Sequence, residues 1–271
     1  MKLIDAKKEF NDILKQNGVE DVNNNVTQLF LHALNLTRTQ LILKTELTFE
    51  EYSKVKRLVK KRALRYPLQY IIKQVEFLGN TITVNKNVLI PRNETEQLAQ
   101  MVASVANDKQ VLDLCTGSGC IGLGIKANST AEVTLSDVSE KALKVARKNA
   151  KLNGLKVKIV KSDLFLNIKG KFDIIVSNPP YIKTKDLISL QPEVKFEPEL
   201  ALDGMADGYY FYKKIIEEAP KFLNKFGEIY FEVGVGQAKT IAKLLSKHFE
   251  CIRIVKDYYN KERIVCAKLK G

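Results

Sequence analysis

The chain has 271 residues, 45% of them hydrophobic, with a formal net charge of +13, so one large domain or two modest ones with a proper core are expected. No run approaches the roughly 18 apolar residues of a membrane span, and residues 1–11 mix acids with lysines rather than forming a signal core. Cys115, Cys120, Cys251 and Cys266 lack CxxC spacing and the only histidines are His32 and His248, which argues against a metal site or a disulfide framework and favours a reducing cytosol. The positive charge admits a nucleic-acid or acidic partner and fits a lysine-rich proteome equally well.

Residues before about Tyr66 read as helical. Phe10, Ile13 and Leu14 follow the spacing of a buried helical stripe. A polar break over 17–25 precedes a second stripe of Val26, Leu29, Phe30, Ala33 and Leu34, and a third short segment covers 39–44. Thr48, with Glu51 three residues on, opens a fourth helix as a capping box. Tyr52, Val55, Leu58, Val59 and Ala63 form its apolar face. Its outer faces are read as carrying Lys54, Lys56, Arg57, Lys60, Lys61, Arg62 and Arg65, and Pro67 closes it. That basic cluster is either a solvated face or a docking surface for an acidic protein or RNA; nucleic acid is not required. Val75 and Phe77, then Ile82 and Val84, alternate around Gly79-Asn80, which signals a hairpin. Residues 91–96 then open a helix running to Ala106, with Asn93 and Glu96 as its cap.

From Gln110 the rhythm is strand, glycine loop, helix, strand, acid. Val111-Leu112-Asp113-Leu114 is a strand, Cys115-Thr116-Gly117-Ser118-Gly119 a tight loop, and a helix begins at Cys120. A second strand over 131–135 precedes Asp137. Glycines let the backbone approach a ligand, and an acid after the second strand suits a ribose diol. The glycine pattern is not GxGxxG, which disfavours a pyrophosphate cofactor. Asp113 faces the loop, and a carboxylate suits a cation. S-adenosylmethionine, with a ribose, an ammonium group and no phosphate, meets these conditions. After a third strand over 157–160, Asp163 is either an acceptor for an adenine amine, with Leu164 and Phe165 flanking the ring, or a helix cap.

A buried parallel strand over 172–176 leads into Ser177-Asn178-Pro179-Pro180-Tyr181, at the sheet edge where α/β folds bind ligands. The two prolines remove two backbone donors. Acceptors remain: the Asn178 side-chain oxygen and the carbonyls around Pro179, with Tyr181 as a flat face. Such an array suits a planar NH2 group. Residues 182–208 are long for a loop and carry Glu193, Glu197, Glu199, Asp203 and Asp207. They read as a substrate-side flap over Tyr181 or as a partly helical insertion. A fifth strand over 228–233 and an antiparallel pair over 252–255 and 263–269 close the sheet, with helices over 139–152, 209–223 and 236–249.

Together Asp113 to Gly119, Ser136-Asp137-Val138-Ser139 and Asn178 to Tyr181 resemble a class I S-adenosylmethionine-dependent amino-methyltransferase. The further matches are Tyr66-Pro67-Leu68-Gln69-Tyr70-Ile71, Leu89-Ile90-Pro91-Arg92 with Thr95-Glu96, Ser177 to Ile182, and Phe196-Glu197-Pro198 with Ala201-Leu202. With them the chain resembles the bacterial peptide chain release factor glutamine methyltransferases over nearly its whole length. The resemblance implies a Rossmann-like, mostly parallel α/β sheet with an antiparallel last strand. A helical substrate-recognition domain (1–74) and a hairpin connector (75–92) are expected before the methyltransferase domain (93–271). It implies S-adenosylmethionine held by Asp113, Cys115, Thr116, Gly117, Ser118, Gly119, Asp137, Asp163, Leu164 and Asn178. It also implies a cytoplasmic enzyme that methylates the glutamine in the Gly-Gly-Gln loop of class I release factors, through Asn178, Pro179, Pro180 and Tyr181, with Arg92 and Glu197 on the substrate side. Two residues depart from the pattern. Cys115 replaces the first glycine of the common loop, which a small side chain should tolerate, and Leu164 stands where some relatives place an aromatic ring. Two other readings are methylation of a ribosomal-protein glutamine or of an exocyclic base amine in rRNA or DNA. A binding module without chemistry is opposed by the intact Asp113, Asp137 and Asn-Pro-Pro-Tyr.

Overall fold

The computed structural model describes residues 1–271, and its contacts group them into Met1–Gln74 with Gln191–Phe196, and Val75–Leu190 with Glu197–Gly271. In the first unit the apolar stripes become helices α1 (Leu3–Gln16), α2 (Val22–Leu34), α3 (Arg38–Leu43), α4 (Phe49–Ala63) and α5 (Leu68–Ile72). Their buried faces, including Phe10, Leu14, Leu29, Phe30, Val55 and Val59, share one core. Thr37 and Thr48 each close a capping box, with Gln40 and Glu51 respectively. Pro67 stops α4 and also serves as the N-cap residue of α5, a helix that its short run of residues did not announce.

Two details differ from the sequence reading. Helix α2 begins inside the expected polar break, because the buried Asn25 amide donates to the Glu20 and Asp21 carbonyls at 3.1 and 3.0 Å. Buried polar groups of this kind persist when they are bonded. Arg62 was expected on an outer face and is only 6% exposed. Its Nε donates to Asn25 Oδ1 at 2.8 Å and its Nη2 to Glu193 Oε1 at 2.9 Å. Arg65 grips the same carboxylate at 2.6 and 2.7 Å. Phe196 meets Tyr66 edge-on at 5.2 Å. Six residues from far along the chain, Gln191–Phe196, thus complete the helical unit. Elsewhere on the basic face, Lys54 pairs with Glu50 and Lys56 with Glu9.

The second unit opens with the hairpin β1 (Gln74–Phe77) and β2 (Asn80–Thr83). Helix α6 (Asn93–Ala103) follows, with Arg92 at its N-cap position and no side-chain cap. The expected Asn93–Glu96 cap does not form, because Glu96 accepts from the Leu78 N–H at 3.0 Å and so ties α6 to the hairpin. Then come β3 (Gln110–Leu114), α7 (Cys120–Ala127), β4 (Glu132–Asp137), α8 (Glu140–Leu152), β5 (Lys158–Lys161) and β6 (Phe172–Ser177). The last elements are α9 (Tyr210–Phe222), β7 (Leu223–Glu232), α10 (Ala238–Leu245), β8 (Phe249–Lys256) and β9 (Glu262–Leu269).

The seven strands lie in the order β5-β4-β3-β6-β7-β9-β8. Those from β5 to β7 are parallel, and β9 runs antiparallel to its neighbours. This is the mostly parallel Rossmann-like sheet expected. The chain moves outward from β3 through β4 to β5, then crosses back to β6 beside β3. That reversal leaves a crevice at the carboxyl ends of the central strands. Leu112, Leu114, Ile175, Ile229 and Phe231 fill one face of the sheet. Phe165, expected beside a ligand ring, is part of this core and stacks on Phe222 at 4.6 Å. Residues 182–208 are neither structureless nor α-helical; they fold as short 3-10 turns at Thr184–Ser189, Val194–Phe196 and Glu199–Ala201.

Candidate active site

At the crevice the strand ends surround a cleft, at the sheet edge where α/β folds bind small ligands. Asp113, one residue from the end of β3, is fully buried. Its Oδ2 accepts from Thr116 Oγ1 at 2.5 Å and from the Gly122 N–H at 2.9 Å, while Oδ1 has no partner. Burial pushes the carboxyl up to about 7, against the pull of those two bonds. Asp113 therefore braces the glycine loop from beneath and is not among the residues that line the cleft. The fit is tight: a Cβ on Gly122 would meet Leu135 Cδ2 at 2.1 Å. Gly119, at φ +85°, turns the chain into α7 and also stands outside the lining. Cys115, Thr116, Gly117 and Ser118 do line it.

Asp137 ends β4. Its Oδ2 accepts from the Gly117 N–H at 2.9 Å and its Oδ1 from the Ser139 N–H at 2.8 Å. Burial raises its pKa, and these backbone bonds oppose the rise. Each carboxylate oxygen keeps a lone pair for an incoming diol. After β5, Ser162 Oγ takes the local turn bond from the Asn167 N–H at 2.9 Å, and Asp163 and Leu164 line the cleft. Val138 and Ala142 complete this wall. No lysine or arginine lines the cleft. A phosphate would find no countercharge, whereas a cationic nucleoside fits, and with it S-adenosylmethionine.

The other wall grows from β6. Ser177 Oγ donates to the Leu114 carbonyl at 2.7 Å and ties β6 to the end of β3. Asn178 and Pro180 line the cleft; Pro179 and Tyr181 are not among its lining residues. Tyr181 is clamped in place. Its carbonyl accepts from Gln237 Nε2 at 3.1 Å, and a Cβ on Gly204 would lie 2.7 Å from its Cα. Burial pushes the Tyr181 phenol up to about 12, so it stays neutral near pH 7. The long connection folds back here, with the Ile182 N–H donating to the Leu202 carbonyl at 3.0 Å and the Gly204 N–H to the Ile182 carbonyl at 2.7 Å. Pro198, Leu200 and Ala201 thereby reach the cleft. Arg92 and Glu197 are brought together as an ion pair, and Glu197 also accepts from the Ile90 N–H at 2.9 Å. Neither lines the cleft, so they stand one layer behind the expected substrate contact.

Three residues at this wall had no role in the sequence reading. Phe211 lines the cleft from the first turn of α9. Thr95 also lines it, and its Oγ1 donates to Glu232 Oε2 at 2.6 Å. Glu232 ends β7, one residue past Phe231, the ladder partner of Ser177, and so stands beside Asn178. The available signal for Glu232 was a lone acid beside the apolar run Ile229-Tyr230-Phe231, since unpaired carboxylates are rarely buried.

Residues 5–72 match the family model described as PrmC N-terminal domain, and residues 93–191 match that described as Methyltransferase small domain. The release factor glutamine methyltransferase of Thermodesulfovibrio yellowstonii is 41% identical over 249 residues, covering 88% of this chain and 89% of that protein. The protein of the same name from Streptococcus pneumoniae is 37% identical over 272 residues, covering 98% of each. A methyltransferase structure from Pyrococcus furiosus superposes with a TM-score of 0.56 at 19% identity, covering 71% of this chain and 90% of that one. That structural likeness speaks for the fold alone. The first two relatives are matched over 88% and 98% of this chain at 41% and 37% identity, and the chain belongs to the release factor glutamine methyltransferase family.

Proposed function

We propose that this chain transfers a methyl group from S-adenosylmethionine to the side-chain amide nitrogen of the glutamine in the Gly-Gly-Gln loop of class I peptide chain release factors. The observation that carries this reading is the placement of Asn178 in the same cleft as the diol acceptor Asp137, with no basic side chain between them. Asp137, Asp163, Leu164 and the Cys115–Ser118 loop would hold the cofactor. When bound, it supplies an electrophilic methyl group on a positively charged sulfur.

An amide nitrogen is a weak nucleophile because its lone pair is delocalised into the carbonyl. The Asn178 side-chain oxygen and the Pro179 carbonyl accept its two N–H groups, hold the nitrogen in line and favour its pyramidal form. Tyr181 and Pro180 pack against the amide plane. Positioning of this kind supplies roughly 7–11 kcal/mol in favourable cases. No strong base is called for, because the proton becomes acidic once the nitrogen is alkylated. The neutral Tyr181 agrees with that.

The helical unit is assigned the task of recognising the protein substrate, with Lys54, Arg57 and Lys61 as an acidic-partner contact and nucleic acid not required. A cytoplasmic setting fits the four free cysteines. No helix is long and apolar enough to cross a membrane.

The test is one incubation of the enzyme with methyl-labelled S-adenosylmethionine and, separately, purified release factor, ribosomes and DNA. Label on the release-factor glutamine is expected; label only on ribosomes or DNA overturns the proposal. Asn178→Ala should lower kcat by roughly 10²–10³, the scale for losing one preorganised polar contact. A variant that turns over like wild type would remove the mechanism.

A further inference from the structure

We infer that Glu232, anchored by Thr95, is a positioning residue that fixes which end of the Asn178 amide faces the reacting nitrogen. The inference rests on the role proposed for Asn178.

An asparagine amide has nearly the same shape either way round, but one end accepts hydrogen bonds and the other donates them. With its oxygen towards the cleft, Asn178 can accept from a target NH2 group. With its NH2 towards the cleft, two donors face each other and the site loses an acceptor. Nothing in Asn-Pro-Pro-Tyr itself selects between the two states; a neighbour must. A carboxylate in its ionised form is such a neighbour, because it only accepts; burial raises the Glu232 carboxyl to about 7, so the ionised form prevails above neutral pH.

Glu232 supplies that carboxylate. The residue is 4% exposed and stands at the end of β7, the strand beside β6. One of its oxygens is tied down by the Thr95 hydroxyl at 2.6 Å. Asn178 follows Ser177, whose ladder partner on β7 is Phe231, so Asn178 and Glu232 stand side by side at the ends of the two strands. The Asn178 side chain also favours the charged form of the Glu232 carboxyl, as an amide NH2 turned towards it would, with its oxygen then left for the cleft. The Glu232 backbone is fixed too, since its carbonyl accepts from the Tyr212 hydroxyl at 2.7 Å.

The bond to the Glu232 carboxylate thus comes from a hydroxyl, not from a cation. The charged or titratable groups that face it are Arg263 from β9, Glu94 from α6, Cys120 from α7, Tyr212 from α9, and Tyr181. A buried carboxylate held in this way is a poor stabilising device, because its desolvation is not offset by an ion pair. Orienting Asn178 gives it a purpose. Thr95, from the Pro-Arg-x-x-Thr-Glu stretch, and Glu232 are thereby joined to Asn-Pro-Pro-Tyr.

The experiment uses the full-length enzyme with saturating purified release factor, and measures kcat, KM, S-adenosylmethionine affinity by calorimetry, and melting temperature. Asn178→Ala is the reference arm. Glu232→Leu removes the acceptor while keeping an apolar side chain of similar size; kcat should fall about 10–100-fold, the scale of one lost transition-state contact, with cofactor affinity within about twofold. Glu232→Gln still offers an oxygen to the Asn178 NH2 and should retain kcat within about fivefold. If Glu232→Leu does not fold, Thr95→Val reads the same point: it frees the carboxylate and should lower kcat about 3–10-fold at unchanged cofactor affinity.

Wild-type kcat in Asn178→Ala would remove the Asn178 role itself. A crippled Asn178→Ala beside wild-type kcat in Glu232→Leu, or in Thr95→Val where that variant stands in, overturns this inference alone. Equal losses in Glu232→Leu and Glu232→Gln overturn it as well, because charge and not acceptor geometry would then be what matters.

Discussion

In the helical unit, Glu193 meets two guanidinium groups, Arg62 at 2.9 Å and Arg65 at 2.6 Å. In the methyltransferase unit, Asp113 and Glu232 are buried, and the hydrogen bonds to both come from hydroxyl and amide groups. The consequences for ionisation run in opposite directions. Burial works against the charge on Glu193, but the bonds from Arg65 and Arg62 outweigh it and hold the carboxyl down at about 2. Burial dominates at Asp113 and Glu232 and lifts each to about 7. One unit neutralises its buried charge internally and gains stability from the pairing. The other leaves a carboxylate oxygen of Asp113 without a hydrogen-bond partner, at a cost in stability.

The largest effect expected from breaking this contrast is at Glu193. Glu193→Ala leaves Arg62, only 6% exposed, without its charge partner, and losing one member of a buried pair costs roughly 3–5 kcal/mol. Arg62 keeps its bond to Asn25, so the lower end, about 3 kcal/mol, is expected, read as a shifted denaturant midpoint. Cofactor affinity should not move, because the Gln191–Phe196 segment belongs to the helical unit and lines no part of the cleft. The sign with pH follows from the depressed pKa. The Glu193 contribution is fully present above the ordinary carboxylate value of 4.5 and is lost as pH falls from there to about 2. Glu193→Gln should flatten that acid limb, and a variant as acid-sensitive as wild type would refute the assignment.

The middle effect lies at Asp137, on the cleft wall proposed to hold the cofactor. Its two oxygens already serve backbone N–H groups, so its remaining lone pairs are what a ribose would use. Asp137→Ala should weaken S-adenosylmethionine binding by about 1–3 kcal/mol, the range for hydrogen bonds to a charged group. Calorimetry showing wild-type affinity would sink the diol assignment.

The same contrast explains what could be read in the chain beforehand. The sheet, its strand ends and most of the loops that line the cleft were legible, because loops of glycine, acid and proline follow apolar runs and mark the edge of a parallel sheet. The helices were legible from the spacing of Phe10, Leu14, Leu29 and Val55. What escaped notice was pairing at a distance. Arg62 and Glu193 are 131 positions apart, and no periodicity says that an arginine on a basic helix will turn inward. Glu96 looked like a cap for α6 until its longer-range partner, the Leu78 N–H, took it. The period change near residue 74 showed where the helical unit gives way. The return of Gln191–Phe196 was invisible, since short 3-10 turns carry no repeat. Phe165 and Leu164 are neighbours, yet one is core and the other lines the cleft; a turn at Leu164, φ +43°, separates them. Glu232 and Thr95 were in plain sight as residue types, but their meaning depends on two strands and a helix meeting at Asn178.

The smallest effect concerns Cys115, at the tip of β3 in the same loop that Asp113 braces. Sequence reading expected a small side chain to be tolerated where relatives carry glycine. The backbone there has φ +60°, the left-handed region, which costs an L-residue roughly 1–2 kcal/mol. The packing of the thiol offsets part of that: it is partly buried, and burial raises its pKa so that it stays a neutral thiol. Two substitutions separate strain from packing. Cys115→Ala loses the thiol contacts and keeps the strain. Cys115→Gly loses the same contacts and relieves the strain, but gives the unfolded chain about 0.5–1 kcal/mol more conformational entropy. The glycine variant should therefore be the more stable of the two by about 0.5–1 kcal/mol, and should lie within about 1 kcal/mol of wild type. Calorimetric melting without cofactor reads the difference directly. An alanine variant as stable as the glycine variant would mean that the loop bears no strain at Cys115, and that the thiol occupies a position where any small residue would do.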